Sequence, residues 1–138
     1  MMDDVILNKV ESIERCIRQI RVYDAIVSHS SFTEDYLTQD AILLNLLRAV
    51  ELSLDIANHI VRVKKLGIPK DSRESVGQLV ESGIIQKETG DLLKAMVGFR
   101  NIAIHEYRKI DHAILRSVLD THLDDFLRFT SEVLQSEC

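Results

Sequence analysis

Apolar residues recur at helical spacing along most of this chain. The first helix is predicted to follow Asp3 or Asp4, because a short carboxylate at a helix start accepts hydrogen bonds from free backbone amides. Its apolar residues are spaced 4-3-4-3, at Ile6, Val10, Ile13, Ile17 and Ile20. This spacing places them on one side of a helix and predicts an amphipathic element with its apolar face in a core.

A second, longer helix is predicted from an N-cap at Thr38 to the breakers Gly67 and Pro69. Apolar residues surround much of its first half: Ile42, Leu43, Leu44, Leu46, Leu47 and Val50. A helix that is apolar on several sides contacts several neighbours, so this one is predicted to be the central element of the fold.

One polar stripe interrupts the second helix at 3-4-3-4 spacing, with His59 beside it. The stripe consists of Arg48, Glu51, Asp55, Asn58 and Arg62. It indicates either a solvated face with ion pairs between successive turns, or one wall of a polar cleft. Both interpretations stay open at the level of sequence.

Three further helices are predicted. Asp71 to Glu74 resembles a capping box that opens a short helix ending near Gly83. A fourth helix begins at about Gln86, and its glycine at position 98 suggests a close approach of another backbone. Asp111 caps a fifth. The apolar stripes of the last two helices are Leu92, Met96, Phe99 and Ala103, and Leu115, Val118, His122, Phe126 and Val133. The sequence therefore predicts an all-α antiparallel bundle of four to five helices.

Length and composition restrict the class of protein. A chain of 138 residues predicts a single domain spanning 1–138. The net charge of −5 argues against a general nucleic-acid coat, so any RNA or DNA site must be a local basic patch. The most basic segment holds Lys64, Lys65, Lys70 and Arg73. Two distant cysteines, an acidic N-terminus and the lack of a long apolar run predict a cytoplasmic protein without a membrane span.

The segment from Arg100 to Tyr107 concentrates reactive side chains at the end of the fourth helix. Arg binds phosphate through a planar fork of donors, His transfers protons near neutral pH, and Tyr supplies a hydroxyl. Chance placement of ten Arg, five His and three Tyr predicts about 0.36 occurrences of R-x4-H but only about 0.008 of R-x4-H-x-Y. The longer pattern, at Arg100, His105 and Tyr107, is therefore informative.

One straight helix cannot direct all three groups at one phosphate. His105 lies five positions after Arg100, so the two side chains point about 140° apart. Arg100 and Tyr107 share a face but are separated by about 10 Å along the axis. Either the helix bends before the new cap at Asp111, or a second subunit completes the site through a two-fold axis.

Each of these residues also has a structural interpretation. Arg100 can form an ion pair with Glu51 or Asp55 across the bundle, His105 can pack among isoleucines, and Tyr107 can be an interfacial aromatic. A di-iron centre is not predicted, because the chain lacks facing Glu-x-x-His pairs. Four further histidines lack partners at ligand spacing and are assigned to the surface or core: His29, His59, His112 and His122.

The segment Arg100-Asn101-Ile102-Ala103-Ile104-His105-Glu106-Tyr107 resembles the R-x4-H-x-Y signature of HEPN-domain ribonuclease toxins of the HepT family. The resemblance extends to essentially the whole chain. It includes residues 13–17, 54–60, 66–69 and 96–99. It implies a HEPN-like helical homodimer, or a larger assembly with an antitoxin, in which the motif lines the cleft between subunits.

The resemblance also implies an activity and a partner. The activity is cleavage of RNA, either tRNA or mRNA, without a metal or other cofactor. The partner is a cognate antitoxin, a minimal nucleotidyltransferase, which AMPylates the motif tyrosine, Tyr107. In such a mechanism His105 takes the proton of the ribose 2′-OH and Arg100 stabilises charge on the phosphate.

The remaining roles in the site are supporting ones. Asn101 can donate to a phosphate or a base edge, and Glu51 or Asp55 can orient Arg100 or His105. Arg108 adds positive charge beside the cleft of a dimer. Two other classes of function remain: a non-catalytic helical partner that presents substrate to a nucleotidyltransferase, and a plain dimerisation scaffold. Detection of an RNA cleavage product distinguishes the enzyme from both.

Overall fold

The computed structural model of the protein describes residues 3–26, 36–105 and 111–137, and these form helices joined by short connections, with no strand among them. The helices are α1 (Asp4–Ile26), α2 (Tyr36–Val63), α3 (Ser72–Glu81), α4 (Lys87–His105), α5 (His112–Thr121) and α6 (Leu123–Ser136). The all-α helical bundle predicted from the sequence is confirmed. Within the described ranges, no helix is long and apolar enough to cross a membrane.

The core forms around α1 and α2, as the apolar stripes predict. The α1 stripe from Ile6 to Ile20 is buried, and the N-terminal amides are capped by Asp3, whose carboxylate accepts from the Val5 N–H at 2.8 Å. The helix α2 packs against α1, α3, α4 and α6, which confirms its central position. From α6, Phe126 and Phe129 complete the interior.

The buried Cys16 lies on the core side of α1. Only 4% of its surface is exposed. Burial raises the pKa of the thiol above its ordinary value, because an apolar surrounding disfavours the thiolate. The thiol is therefore chemically quiet in the folded protein, since the thiolate is the reactive form.

The helix α2 begins and ends earlier than predicted. It starts at Tyr36, so the expected N-cap Thr38 lies inside it, and it stops at Val63, before Gly67. Lys65 takes the left-handed conformation (φ 54°), and the Leu66 N–H donates to the Val61 carbonyl at 3.0 Å. These are the features of a Schellman C-cap, in which a lysine holds the position usually given to glycine.

The predicted fifth helix is divided in two. Its start is confirmed, because the Asp111 carboxylate accepts from the Ala113 N–H at 2.8 Å. At His122 the backbone (φ −117°, ψ −2°) leaves the helical path, and α6 begins with a new turn. The imidazole of His122 bonds to the Asp125 carboxylate at 2.8 Å, so this residue serves a helix junction rather than the apolar stripe.

The helices α3 and α4 meet along an antiparallel seam in which a glycine on one helix faces a larger residue on the other. A Cβ added at Gly90 would lie 2.5 Å from Val80 Cγ2, one at Gly77 would lie 3.5 Å from Lys94 Nζ, and one at Gly98 would lie 3.2 Å from Arg73 Nη2. We call these three pairs the α3–α4 seam. Within this chain the neighbour at Gly98 is thus the side chain of Arg73. A close approach of a helix from a second subunit stays a prediction.

The seam predicts opposite effects for two alanine substitutions. Gly90→Ala forces a methyl group into the stiff side chain of Val80, which is expected to cost about 1–3 kcal/mol of overpacking and to exceed the gain of about 1 kcal/mol in helix propensity. Gly98→Ala displaces only the flexible end of Arg73, so the propensity gain is retained. In urea denaturation, Gly98→Ala is expected to be the most stable of the three proteins, wild type the next and Gly90→Ala the least stable. The reverse order would contradict this packing of α3 against α4.

Candidate active site

The motif lies at the C-terminal end of α4, and the opposite end of this helix is attached to α6. The Glu132 carboxylate accepts from the Gln86 N–H at 2.7 Å and from the Thr89 hydroxyl at 2.5 Å. A carboxylate at a helix N-terminus satisfies free amides and matches the positive end of the helix dipole. Because Thr89 is almost fully buried, this contact also satisfies a hydroxyl that has no access to water.

Arg100 is held against α2. Its Nη1 donates to Glu51 Oε1 at 2.7 Å and its Nη2 to Asn101 Oδ1 at 3.3 Å, and the side chain is 19% exposed. The Nε atom is buried and has no hydrogen-bond partner among the residues that the structure describes. The contacts with Glu51 and Asn101 therefore hold the guanidinium in place without using all five of its N–H donors.

His105 is exposed and points away from Arg100. It is the last residue of α4, and the helix is continuous from Arg100 to His105. The two side chains are therefore about 140° apart and separated by about 7.5 Å along the axis. Asn101 is also exposed, as are its apolar neighbours Ile102 and Ile104. A single chain thus presents Arg100 and His105 on different sides of α4.

Two predicted site residues, Tyr107 and Arg108, lie outside the described residues. The predicted bend between Ile104 and Asp111 falls largely on the same five positions, 106–110. The structure does place the limits of this segment, because α4 extends to His105 and Asp111 caps α5.

Polar side chains of the α2 stripe bond mainly to residues of other helices. Glu51 reaches Arg100 on α4, Asp55 lies 3.6 Å from Lys9 on α1, and Asn58 accepts from the Ser75 hydroxyl on α3 at 2.5 Å. Within the described part of the chain, no ion pair joins two members of the stripe. Of the two acids considered for a supporting role, Glu51 contacts Arg100, whereas the ion pair that the described residues show for Asp55 is with Lys9.

Two other histidines take part in local structure. His59 bonds to Asp3 through Nε2 at 2.6 Å, and its Nδ1 lies 3.1 Å from Arg62 Nη2. The hydrogen bond from His59 lowers the pKa of Asp3. His122 bonds to Asp125, while His29 is outside the described residues. Among residues 3–26, 36–105 and 111–137, no group of three or more His, Cys, Asp or Glu side chains could hold a metal ion.

Sequence reasoning missed two features near the motif. The first is the capping of α4 by Glu132, which joins residues 46 positions apart and leaves no local signal. The second is the position of Arg73 and Lys94 in the α3–α4 seam. Arg73 was counted only as part of a basic segment, and the glycines at Gly77 and Gly98 were the available sign that long side chains cross there.

Known proteins and a family model match this chain over most of its length. A family model described as Ribonuclease HepT-like matches residues 13–133. The chain is 43% identical over 137 residues to the mRNA nuclease HepT of Shewanella oneidensis, a match that covers 99% of this chain and 100% of that protein.

Two solved structures resemble the fold closely. One is a tri-AMPylated Shewanella oneidensis HEPN toxin in complex with MNT antitoxin, with a TM-score of 0.91 and 41% identity, covering 97% of this chain and 99% of that chain. Another is a toxin–antitoxin with AMP-PNP, with a TM-score of 0.87 and 41% identity, covering 96% and 99%. With the family match over residues 13–133 and 43% identity over nearly the full length, this chain belongs to the HepT-like ribonuclease family.

Proposed function

We propose that this protein is the ribonuclease toxin of a toxin–antitoxin system in the cytoplasm of a prokaryote, and that it cleaves RNA without a metal ion. The observation that carries the proposal is the 43% identity to an mRNA nuclease over 99% of this chain. By that similarity mRNA is the preferred substrate over tRNA. The geometry of α4 supports the proposal, because it fixes a cation and exposes a histidine in the R-x4-H-x-Y motif.

The chemistry uses a nucleophile that RNA itself carries. His105 takes the proton of a ribose 2′-OH, and the 2′-oxygen attacks the adjacent phosphorus. The bond from phosphorus to the 5′-oxygen breaks, which leaves a 2′,3′-cyclic phosphate and a 5′-hydroxyl that gains a proton. General base assistance of this kind contributes about 10²–10⁴ in rate.

Arg100 supplies the positive charge in this mechanism. Charge builds on the phosphate oxygens during attack, and donors that are already fixed in place stabilise it without reorganisation. Glu51 is the positioning residue, because its 2.7 Å contact holds the guanidinium. Asn101 accepts from Arg100 through its Oδ1. Its amide N–H groups are the donors that this mechanism assigns to the same phosphate or to a base.

A homodimer would complete the site. Arg100 and His105 point about 140° apart on one helix, so a two-fold axis near the end of α4 is the simplest way to bring one of each to the same phosphate. The exposed isoleucines Ile102 and Ile104, more than half exposed in the single chain, are suited to such an interface. The dimer would also gather the charges of Arg100 and Arg108 from both subunits.

The proposed antitoxin is a minimal nucleotidyltransferase that modifies Tyr107. The tyrosine oxygen attacks the α-phosphorus of ATP, loses its proton, and receives AMP while pyrophosphate leaves. The similar solved structures support this partner, since one contains an AMPylated HEPN toxin with an MNT antitoxin and another contains AMP-PNP. AMP on Tyr107 would place a phosphodiester near Arg100, where it competes with RNA.

The test of the proposed function is cleavage of a labelled mRNA by the purified protein in the presence and absence of EDTA. We expect cleavage at equal rates in both, with products that end in a 2′,3′-cyclic phosphate. Loss of cleavage in EDTA would overturn the metal-independent mechanism. No cleavage under any condition would favour a non-catalytic partner of a nucleotidyltransferase or a scaffold.

A further inference from the structure

The two seam positions nearest to the motif are occupied by cations. Arg73 of α3 lies over Gly98, and Lys94 of α4 lies over Gly77, so each helix supplies one cation and one glycine. Neither side chain forms a hydrogen bond or an ion pair in the part of the chain that the structure describes. Their neighbours in sequence, Glu74 and Asp91, are not paired with them either.

Packing alone does not account for a charge at these positions. At the third pair of the seam the residue that faces glycine is Val80, and it fills the space with a partly buried, apolar side chain that packs against the core. A Met or Leu would do the same at the other two pairs. The stems of Arg and Lys can cover apolar surface, but their heads still need water or an anion. The seam therefore changes from apolar to basic as it approaches the motif.

The cations lie in line with the motif. Along α4 the positions Lys94, Gly98, Asn101 and His105 are spaced 4-3-4, so they share one face. Arg73 adds its guanidinium to this face at Gly98. The line from Lys94 to His105 extends about 16 Å, with a polar or charged group at roughly every turn.

We infer that Arg73 and Lys94 bind backbone phosphates of the RNA that flanks the bond cut at His105. The inference rests on the proposed function and adds residues that the motif does not contain. A protein with net charge −5 repels RNA overall, so binding requires local cations that carboxylates do not already neutralise. Arg73 and Lys94 meet this requirement, whereas Lys9, for example, is already paired with Asp55.

The experiment compares Arg73→Met/Lys94→Met with a control, Arg18→Met/Arg128→Met, in the full-length chain. Both double variants lower the net charge from −5 to −7, and methionine keeps the apolar stem at each position. Binding is measured by fluorescence anisotropy with an RNA whose 2′-OH groups are methylated, so that it cannot be cut by 2′-OH attack. Cleavage of unmodified RNA is measured in parallel.

We expect Arg73→Met/Lys94→Met, the seam variant, to bind RNA roughly tenfold more weakly than the wild type at low salt. The slope of log affinity against log salt concentration should fall by about 1.4, which is about 0.7 for each of the two lost phosphate contacts. The KM of the seam variant should rise with little change in kcat, and the control should behave as wild type. Equal affinity and slope for seam variant and wild type would overturn the inference, as would failure of the wild type to bind. Binding that depends on the seam without any cleavage would overturn only the proposed ribonuclease activity.

Discussion

Replacement of His105 by alanine is expected to lower the rate of RNA cleavage by about 10²–10⁴-fold, the usual contribution of a general base. The fold should be unaffected, because His105 is exposed and is the last residue of α4. His105→Gln tests the same point more strictly, since glutamine keeps a polar side chain but cannot carry the proton. The measurement is the single-turnover rate on labelled mRNA at saturating protein.

The matched control is another histidine outside the motif. His122→Ala removes an imidazole that bonds to Asp125 at the junction of α5 and α6, and it should leave cleavage close to the wild-type rate. Circular dichroism of all three variants checks that the helices persist. If His105→Ala and His105→Gln cut at the wild-type rate, the general base is a different group and the proposed mechanism is wrong.

A second large effect is expected for Tyr107→Phe in the presence of the antitoxin. Removing the hydroxyl removes the group that accepts AMP, so this variant should remain toxic when the nucleotidyltransferase is expressed with it. Its own activity should change little, because a phenol is ordinarily protonated at neutral pH and is a poor proton acceptor. The readouts are growth of cells that carry both proteins and intact mass, with increments of about 329 Da for each AMP on the wild type only.

The other two tyrosines provide the control for this experiment. Tyr23 is partly buried on α1 and Tyr36 is exposed at the start of α2, and neither belongs to the motif. Tyr36→Phe should therefore be neutralised and modified as the wild type is. Full silencing of Tyr107→Phe by the partner, or AMP found on Tyr36, would place the switch at another residue.

Much of the fold followed from local patterns. The α1 stripe and the caps at Asp3, Asp71 and Asp111 were predictable, since each depends on side chains within a few residues of one another; the Asp71 carboxylate, for example, accepts from the Glu74 N–H at 2.9 Å. The early end of α2 was not predictable in the same way. It depends on Lys65 adopting a left-handed conformation that glycine normally supplies, two residues before the glycine that the sequence offers.

The candidate site was predictable in part. The motif and an ion pair for Arg100 were predictable from the sequence. Glu51 and Asp55, however, lie one turn apart on the same stripe. Which of them meets Arg100 depends on how far α4 is shifted along α2, and in the structure it is Glu51. The cap from Glu132 and the basic seam could not be foreseen for a similar reason. Both depend on which turns of two helices meet, and local periodicity does not specify that.

The quiet thiol of Cys16 offers an observable that is independent of catalysis. A thiol reagent reaches it only when α1 separates from the core, so labelling follows the opened fraction whenever reclosing is faster than reaction. A ligand that binds only the closed protein slows labelling by a factor of 1 + [L]/Kd. The chain has one other cysteine, Cys138. When it is replaced by serine, alkylation of Cys16 reports RNA affinity even in a variant that lacks His105. Binding of RNA and cleavage of RNA can thereby be measured separately in the same protein.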